Sequence, residues 1–365
     1  MPFDFPASPS IGQIYDTGTG MQFVWDAEKW KLLTSASAVL VKTALPRNLF
    51  LNPTMQIGQE NGDTASPNQV AAQYFTADMW ETRWSTSTGA GNASRSTGLY
   101  SGYGNKVSVF TVSTAKASLA AGDYCLMTQK IEGYNIIPLQ WGTANAKPIV
   151  IRLGVLANIT GTFSFRLTVA SGRCYVHQFT IPVANVWTEF IVPIPGDPTA
   201  APVTDNTVGL QFDICWGVGT TYQAPAGTAD QWQNGNFYAL PGQTNLMATV
   251  GNSTWVSDVG LYIDPDNTGL APPFEVPNFG DELVRCQRYW EQLNFSDLFI
   301  MTRTSGGQGG VTWWFNTTKR APPTITFTTS GTGVSAYMPM VNGVEFLQSA
   351  IALAAIQSGK ANARM

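Results

Sequence analysis

Alternation is the feature that most restricts what this chain can fold into. In Val208-Gly209-Leu210-Gln211-Phe212-Asp213-Ile214-Cys215-Trp216, the residues Val208, Leu210, Phe212, Ile214 and Trp216 occupy every second position. Phe163, Phe165, Leu167 and Val169 do the same, and Val259, Leu261 and Ile263 repeat the pattern. Successive side chains of a strand point to opposite faces, so this period predicts strands with one apolar face. The Ser, Thr, Arg and Gln residues in between predict that the other face is wet. Strand-like segments recur near residues 107–113, 149–157, 163–169, 174–181, 187–194, 208–216 and 255–263, punctuated by Gly, Pro and Asn. That series predicts a mainly β fold, a β-sandwich of the jelly-roll type over residues 47–265.

The flanking segments read differently. Residues 1–10 are rich in proline and suit an extended arm. Ile11–Tyr15 and Met21–Trp25 predict a small β-hairpin around Asp16-Thr17-Gly18-Thr19-Gly20, and Asp26–Lys29 then turns into Trp30-Lys31-Leu32-Leu33. A unit this small buries little by itself, so residues 1–34 are expected to dock on a partner. Residues 35–46 suit a linker or short helix. A second linker, 266–280, holds Pro272, Pro273 and Pro277. Beyond it, Leu283, Cys286, Trp290 and Leu293 recur at helical spacing behind Asp281 and Glu282, predicting a short helix over 281–293. Residues 294–365 suit a small C-terminal β region, with a terminal helical turn at Ile351–Ile356. The stretch 217–253 is too long for a hairpin turn, and loops of that length are usually functional or disordered.

Composition narrows the functions. Charged residues make up 12% of the 365, about half the usual share, and the formal net charge is −4. No basic run offers a grip on nucleic acid. The single histidine, His177, excludes histidine-based triads and multi-histidine metal sites, and its strand context suits a structural role. Cys125, Cys174, Cys215 and Cys286 lack zinc spacing and suit buried thiols better than disulfides. Neither a metal nor a cofactor is expected. The first residues have neither the basic nor the apolar region of a secretory signal, and no apolar run reaches about 18 residues, so no membrane insertion is expected.

No nucleophile-elbow, P-loop, zincin or dinucleotide-binding motif is present, and no catalytic residue is expected. Glycan-cleaving enzymes need only carboxylates. The densest acidic cluster, Asp258, Asp264 and Asp266, suits a turn better than a calcium site or a catalytic pair. Tyr222, Trp232, Phe237 and Tyr238 lie in the polar stretch 217–253 and are the candidate ligand-binding residues. Flat aromatic faces in such a loop can stack on sugars while Asn and Gln supply hydrogen bonds. The alternative is that the same rings pin the loop onto the sandwich. Low charge with many aromatics also suits association with identical copies.

Several strings together resemble a known family. Ser10–Tyr15 followed by Phe23–Trp30 resembles a hairpin module of tailed-bacteriophage structural proteins. Arg47–Met55 resembles the opening of the carbohydrate-binding-like, receptor-binding domain of phage tail fibres. Tyr74–Trp80 is similar to that domain's next landmark, where an arginine usually stands in the place of Met79. Thr128–Gly133, Ile194–Asp197, Trp232–Phe237 and Val259–Ile263 are similar to further landmarks. Pro273-Phe274-Glu275 with Glu282-Leu283 and Cys286–Glu291 resembles the box that closes the domain, and Lys319–Thr324 is similar to a strand of the short C-terminal part.

The resemblance covers about residues 10–34 and 47–330. It implies a virion structural protein, assembled in the host cytoplasm and placed on the tail more readily than the head. It further implies a homotrimer that binds a host-surface glycan or receptor without enzymatic activity, joined to other virion proteins through residues 1–34. The other readings are a head fibre, decoration or tail adaptor protein without a receptor role, and a capsular polysaccharide depolymerase. The landmarks mark the fold, so the resemblance carries over no binding residue.

Overall fold

The computed structural model describes residues 6, 8–10, 13–16, 22–25, 28–33, 47–97, 102–294, 299–301, 310–312, 315–329, 337–340, 343–346 and 356–364. The chain divides into two compact units, Met1–Arg47 and Asn48–Met365. In the first, β1 (Ile14–Asp16), β2 (Gln22–Trp25) and β3 (Trp30–Leu33) form an antiparallel sheet in that order. The segment after the expected hairpin is therefore its third strand. The register sets Trp25 opposite Trp30, with ring centroids 5.6 Å apart, and Tyr15 packs edge-on against Trp30 at 6.0 Å. The expected linker at 35–46 lies outside the described residues.

The second unit is an antiparallel β-sandwich. Its strands are β4 (Ala71–Ala77), β5 (Trp80–Ser85), β6 (Ala90–Thr97), β7 (Lys106–Thr114), β8 (Tyr124–Glu132), β9 (Ile149–Ala157), β10 (Gly161–Val169), β11 (Arg173–Ile181), β12 (Thr188–Ile194), β13 (Val208–Val218), β14 (Trp232–Asn234) and β15 (Ser253–Ile263). The larger sheet has seven strands in the order β14-β11-β10-β13-β8-β5-β4, and the smaller has five in the order β12-β9-β15-β7-β6. This is the jelly-roll type of sandwich that the alternation predicts. Phe163, Phe165, Leu167, Leu210, Phe212, Ile214 and Trp216 line its dry interior together with Phe50, Trp80 and Trp84. All four cysteines are free and buried.

The second face of the larger sheet departs from the expectation of a wet surface. Its register sets Arg166, Asp213, Thr128 and Glu81 side by side across β10, β13, β8 and β5. Arg166 is 3% exposed and Asp213 0%. The reason is the long stretch after β13, whose Tyr238 and Ala239 pack on Leu126, Cys215 and Val218 of this face. Charges shut away from water must pair, and these do. Arg166 Nε donates to Asp213 Oδ2 at 2.6 Å, Thr128 Oγ1 donates to Asp213 Oδ1 at 2.5 Å, and Gln211 Nε2 lies 2.9 Å from both oxygens. The Tyr238 ring covers the Arg166 guanidinium at 3.8 Å.

The expected helix over 281–293 runs Phe279–Gln287. Leu283 and Cys286 do point inward, against Leu51, Ile57, Met79 and Tyr289. Trp290 instead begins β16 (Trp290–Asn294), because a strand partner is available in β22 (Ile356–Asn362). β19 (Thr324–Thr329) completes that sheet on the other side of β22. β17 (Phe299–Met301) pairs with β18 (Gly310–Thr312), and β20 (Tyr337–Met340) pairs with β21 (Gly343–Phe346). At Ile356, the end of the expected terminal turn, the chain is already strand; residues 351–355 lie outside the described residues.

Asp213 sets one stability test. Burial alone would push its carboxyl up, but the Arg166 and Arg83 guanidiniums outweigh that and hold it below the ordinary carboxylate range. Its ionic contribution is therefore present above the ordinary value and lost as the pH falls through it, below about pH 4. Asp213→Ala leaves Arg166 buried without its partner and is expected to cost roughly 3–5 kcal/mol in denaturant unfolding. It should also flatten the loss of stability on acidification seen in the parent chain.

Candidate functional site

The four aromatic residues singled out in the sequence do not form one platform: Tyr222, Phe237 and Tyr238 pack on the outer face of the larger sheet, whereas Trp232 packs against the interior cluster. Tyr222 and Tyr238 pack edge-on, ring centroids 4.9 Å apart, with Tyr124 beside both. Phe237 packs among Cys174, Val176, Ala224 and Leu240. Trp232 stands apart in β14, between Trp141 at 5.0 Å and Tyr175 at 5.4 Å, with its Nε1 donating to the Pro195 carbonyl at 2.8 Å. These contacts tie the rings to the body of the sandwich, and Tyr222, Trp232 and Phe237 keep part of their surface exposed. Asp264, from the acidic cluster, accepts hydrogen bonds from the Thr268 and Gly269 amides and the Thr268 hydroxyl, as a turn residue does. Among the described residues, no group of three His, Cys, Asp or Glu side chains could hold a metal ion.

An open concavity among the described residues lies elsewhere. It is a groove of about 320 Å³ walled by the 52–57 segment, the turn at Tyr103-Gly104-Asn105 and the strap Val276–Glu282. Tyr103 and Phe279 on its walls are 56% and 59% exposed. Large rings left this open in a concave site are ready contact surfaces, since a groove lined by aromatics with a few polar groups is the usual form of a ligand site.

Each wall is held from behind. Asp258 sits in a bulge of β15 with left-handed backbone (φ 53°), and its carboxylate accepts the Tyr103 amide at 2.8 Å and the Gly104 amide at 3.3 Å. Burial pushes that carboxyl up, against the two amide hydrogen bonds that favour its charged form. Behind Tyr103 lies the Phe274 ring, stacked at 5.0 Å, and Arg152 in turn faces Phe274 at 5.8 Å and donates to the Pro272 carbonyl at 2.8 Å. The linker between sandwich and helix is thus a strap fixed across the smaller sheet. Asn278 caps the helix by accepting the Gly280 and Asp281 amides, which sets Phe279 at the first helical position. On the floor, Glu282 accepts the Asn52 amide at 2.5 Å and Arg285 Nη1 at 2.6 Å. Gln56 Nε2 donates to Asn105 Oδ1 at 2.8 Å along the open side.

Sequence reading missed Tyr103, Phe279, Gln56 and Asn105. One local signal existed: Gly102-Tyr103-Gly104-Asn105 sets an aromatic residue between glycines in turn composition, where no alternation could bury it. Phe279 carried no such signal, because its exposure follows from the cap that precedes it.

No family model and no curated protein matches the chain. Solved structures similar to it include the enzymatically active domain of tailspike protein 4 of bacteriophage CBA120, at 12% identity and TM-score 0.34. That likeness covers 60% of this chain and 21% of the tailspike chain, so only about a fifth of the tailspike is represented. The carbohydrate-binding module TmCBM61, solved with β-1,4-galactotriose, is similar at 8% identity and TM-score 0.29, over 60% of this chain and 99% of the module. The family 11 carbohydrate-binding module of the Clostridium thermocellum cellulase Lic26A-Cel5E is similar at 10% identity and TM-score 0.27, over 55% and 97%. At these values the likeness carries no argument about what the groove binds.

The turn that carries Tyr103 offers a direct test. A Cβ on Gly104 would stand 2.8 Å from Thr54 Cβ and 3.2 Å from the Thr54 carbonyl oxygen, neither of which can swing away. Gly104→Ala is expected to cost about 1–3 kcal/mol in chemical denaturation. A crystal structure of the variant should show the Tyr103 ring displaced from Phe274.

Proposed function

We propose that this chain is a non-enzymatic glycan-binding structural protein of a tailed-phage virion, a tail fibre that holds the host surface through the Tyr103–Phe279 groove. The observation that carries the reading is the groove itself: two exposed rings, with the side-chain amides of Gln56 and Asn105 on the same lining. The ordered strings shared with phage fibre proteins support the virion assignment. They also suggest a homotrimer attached to other virion proteins through residues 1–34. Single-site affinity can then stay weak, because linked copies multiply it without any new contact.

The floor of the groove supports binding over cleavage. Glycoside hydrolysis calls for two carboxyl groups free to serve as acid and as base or nucleophile. Glu282 is the one carboxylate among the described lining residues, and each of its oxygens already accepts a hydrogen bond from the protein. A carboxylate held this way positions the floor.

Binding of the purified full chain to host cells tests the reading. Tyr103→Ala and Phe279→Ala are each expected to weaken binding about tenfold, about 1.4 kcal/mol, with the melting temperature unchanged. Incubation with host polysaccharide should release no reducing ends. Undiminished binding by both variants would sink the groove assignment, and steady release of product would sink the non-enzymatic one.

A further inference from the structure

The polar chemistry of the groove is set by the paired amides of Gln56 and Asn105. Each carboxamide has a carbonyl acceptor and two N–H donors. Their mutual hydrogen bond at 2.8 Å uses one N–H of Gln56 and the carbonyl of Asn105. On these two lining residues the Gln56 carbonyl and the Asn105 amino group are left outside that hydrogen bond. Turning both amides over exchanges these roles and still leaves one acceptor beside one donor. The arrangement complements two adjacent hydroxyls, one donating to the carbonyl and its neighbour accepting from the amino group. A trans secondary amide is a poorer match, since its N–H and C=O point in opposite directions.

The charge of the groove adds a second restriction. Among the described residues its lining contains no Lys or Arg, and its carboxylate, Glu282, is occupied by Asn52 and Arg285. An anionic sugar would have to leave water for a floor whose charges, Glu282 and Arg285, are already paired with each other, so it would gain no free cation, which is unfavourable. Tyr103 and Phe279 supply apolar faces for the C–H side of a ring. Resting on the reading of this groove as a glycan site, we infer that its ligand is an uncharged pyranose unit with a free vicinal diol, held by Gln56 and Asn105 and stacked on Tyr103 and Phe279.

Chemical treatment of the glycan tests this without altering the protein. Purified host-surface polysaccharide would be oxidised with periodate, which cleaves vicinal diols, then reduced with borohydride, and binding of the full chain measured before and after. Binding is expected to fall at least tenfold, and to fall equally for untreated polysaccharide when Gln56→Leu and Asn105→Leu are combined. A neutral glucan is expected to compete for the site and a polyuronate is not. The inference is overturned if Tyr103→Ala abolishes binding while periodate treatment has no effect, or if the polyuronate competes better than the glucan. Should Tyr103→Ala and Phe279→Ala both bind untreated polysaccharide as the parent does, the groove reading itself falls, and this inference with it.

Discussion

The groove and the closed end of the sandwich depend on how a segment with no strand of its own is kept inside the fold. Residues 48–57 run through the interior, with Phe50 and Met55 fully buried, and buried backbone groups without partners are costly. Side chains supply what a strand ladder would have supplied. Asn48 donates to the Val259 carbonyl and accepts from the Phe50 and Leu261 amides. Gln129 bonds both the amide and the carbonyl of Leu51, each at 2.8 Å. Asn52, with left-handed backbone, donates to the carbonyls of Ile57 and Asp78 and accepts the Ile57 amide, while its own amide goes to Glu282. Asn52 therefore ties the β4–β5 turn, the floor of the groove and the helix to one point.

That arrangement explains why part of the fold was legible as short strings. In Asn48-Leu49-Phe50-Leu51-Asn52 the two asparagines are the stitches and Phe50 the plug between them. Other strings met as separate landmarks touch in space. Glu132 receives a two-pronged contact from Arg288 and a hydrogen bond from Tyr289, joining the end of β8 to the end of the helix. Lys319 pairs with Glu291, and Trp232 donates to Pro195. No periodicity announces residue types fixed by such long-range pairs. The strands with the strongest alternation were legible by period alone: β13 was expected at 208–216 and spans Val208–Val218, and β10 was expected at 163–169 and spans Gly161–Val169.

What stayed illegible has physical causes. β6 reads Ala-Gly-Asn-Ala-Ser-Arg-Ser-Thr, with nothing larger than alanine to mark an apolar face, and forms because β7 offers its edge. The wet face expected for β10 and β13 is dry because a loop some tens of residues away in sequence folds over it, which local pattern cannot foresee. The helix was read too long because Trp290 and Leu293 continue a helical spacing over positions that strand pairing with β22 decides. In the binding-residue candidates, the aromatic rings of a polar loop were visible, but whether they cover the sheet or face solvent depends on what lies beneath them.

The two faces of the sandwich have accordingly taken different roles. On the larger sheet, pairing and covering leave Asp213 and Arg166 with satisfied partners. Beside the smaller sheet, the fold accepts a local conflict. Asp258 is a non-glycine residue in left-handed backbone at a strand bulge, and its carboxyl is buried to 1% exposure and pushed up in pKa. Strain of this kind persists only where the surroundings over-determine it, and it concentrates at sites of function. Here it holds the amides of Tyr103 and Gly104 in place, so the ring above them is fixed before any ligand arrives. A ring held this way loses little freedom if a ligand packs on it.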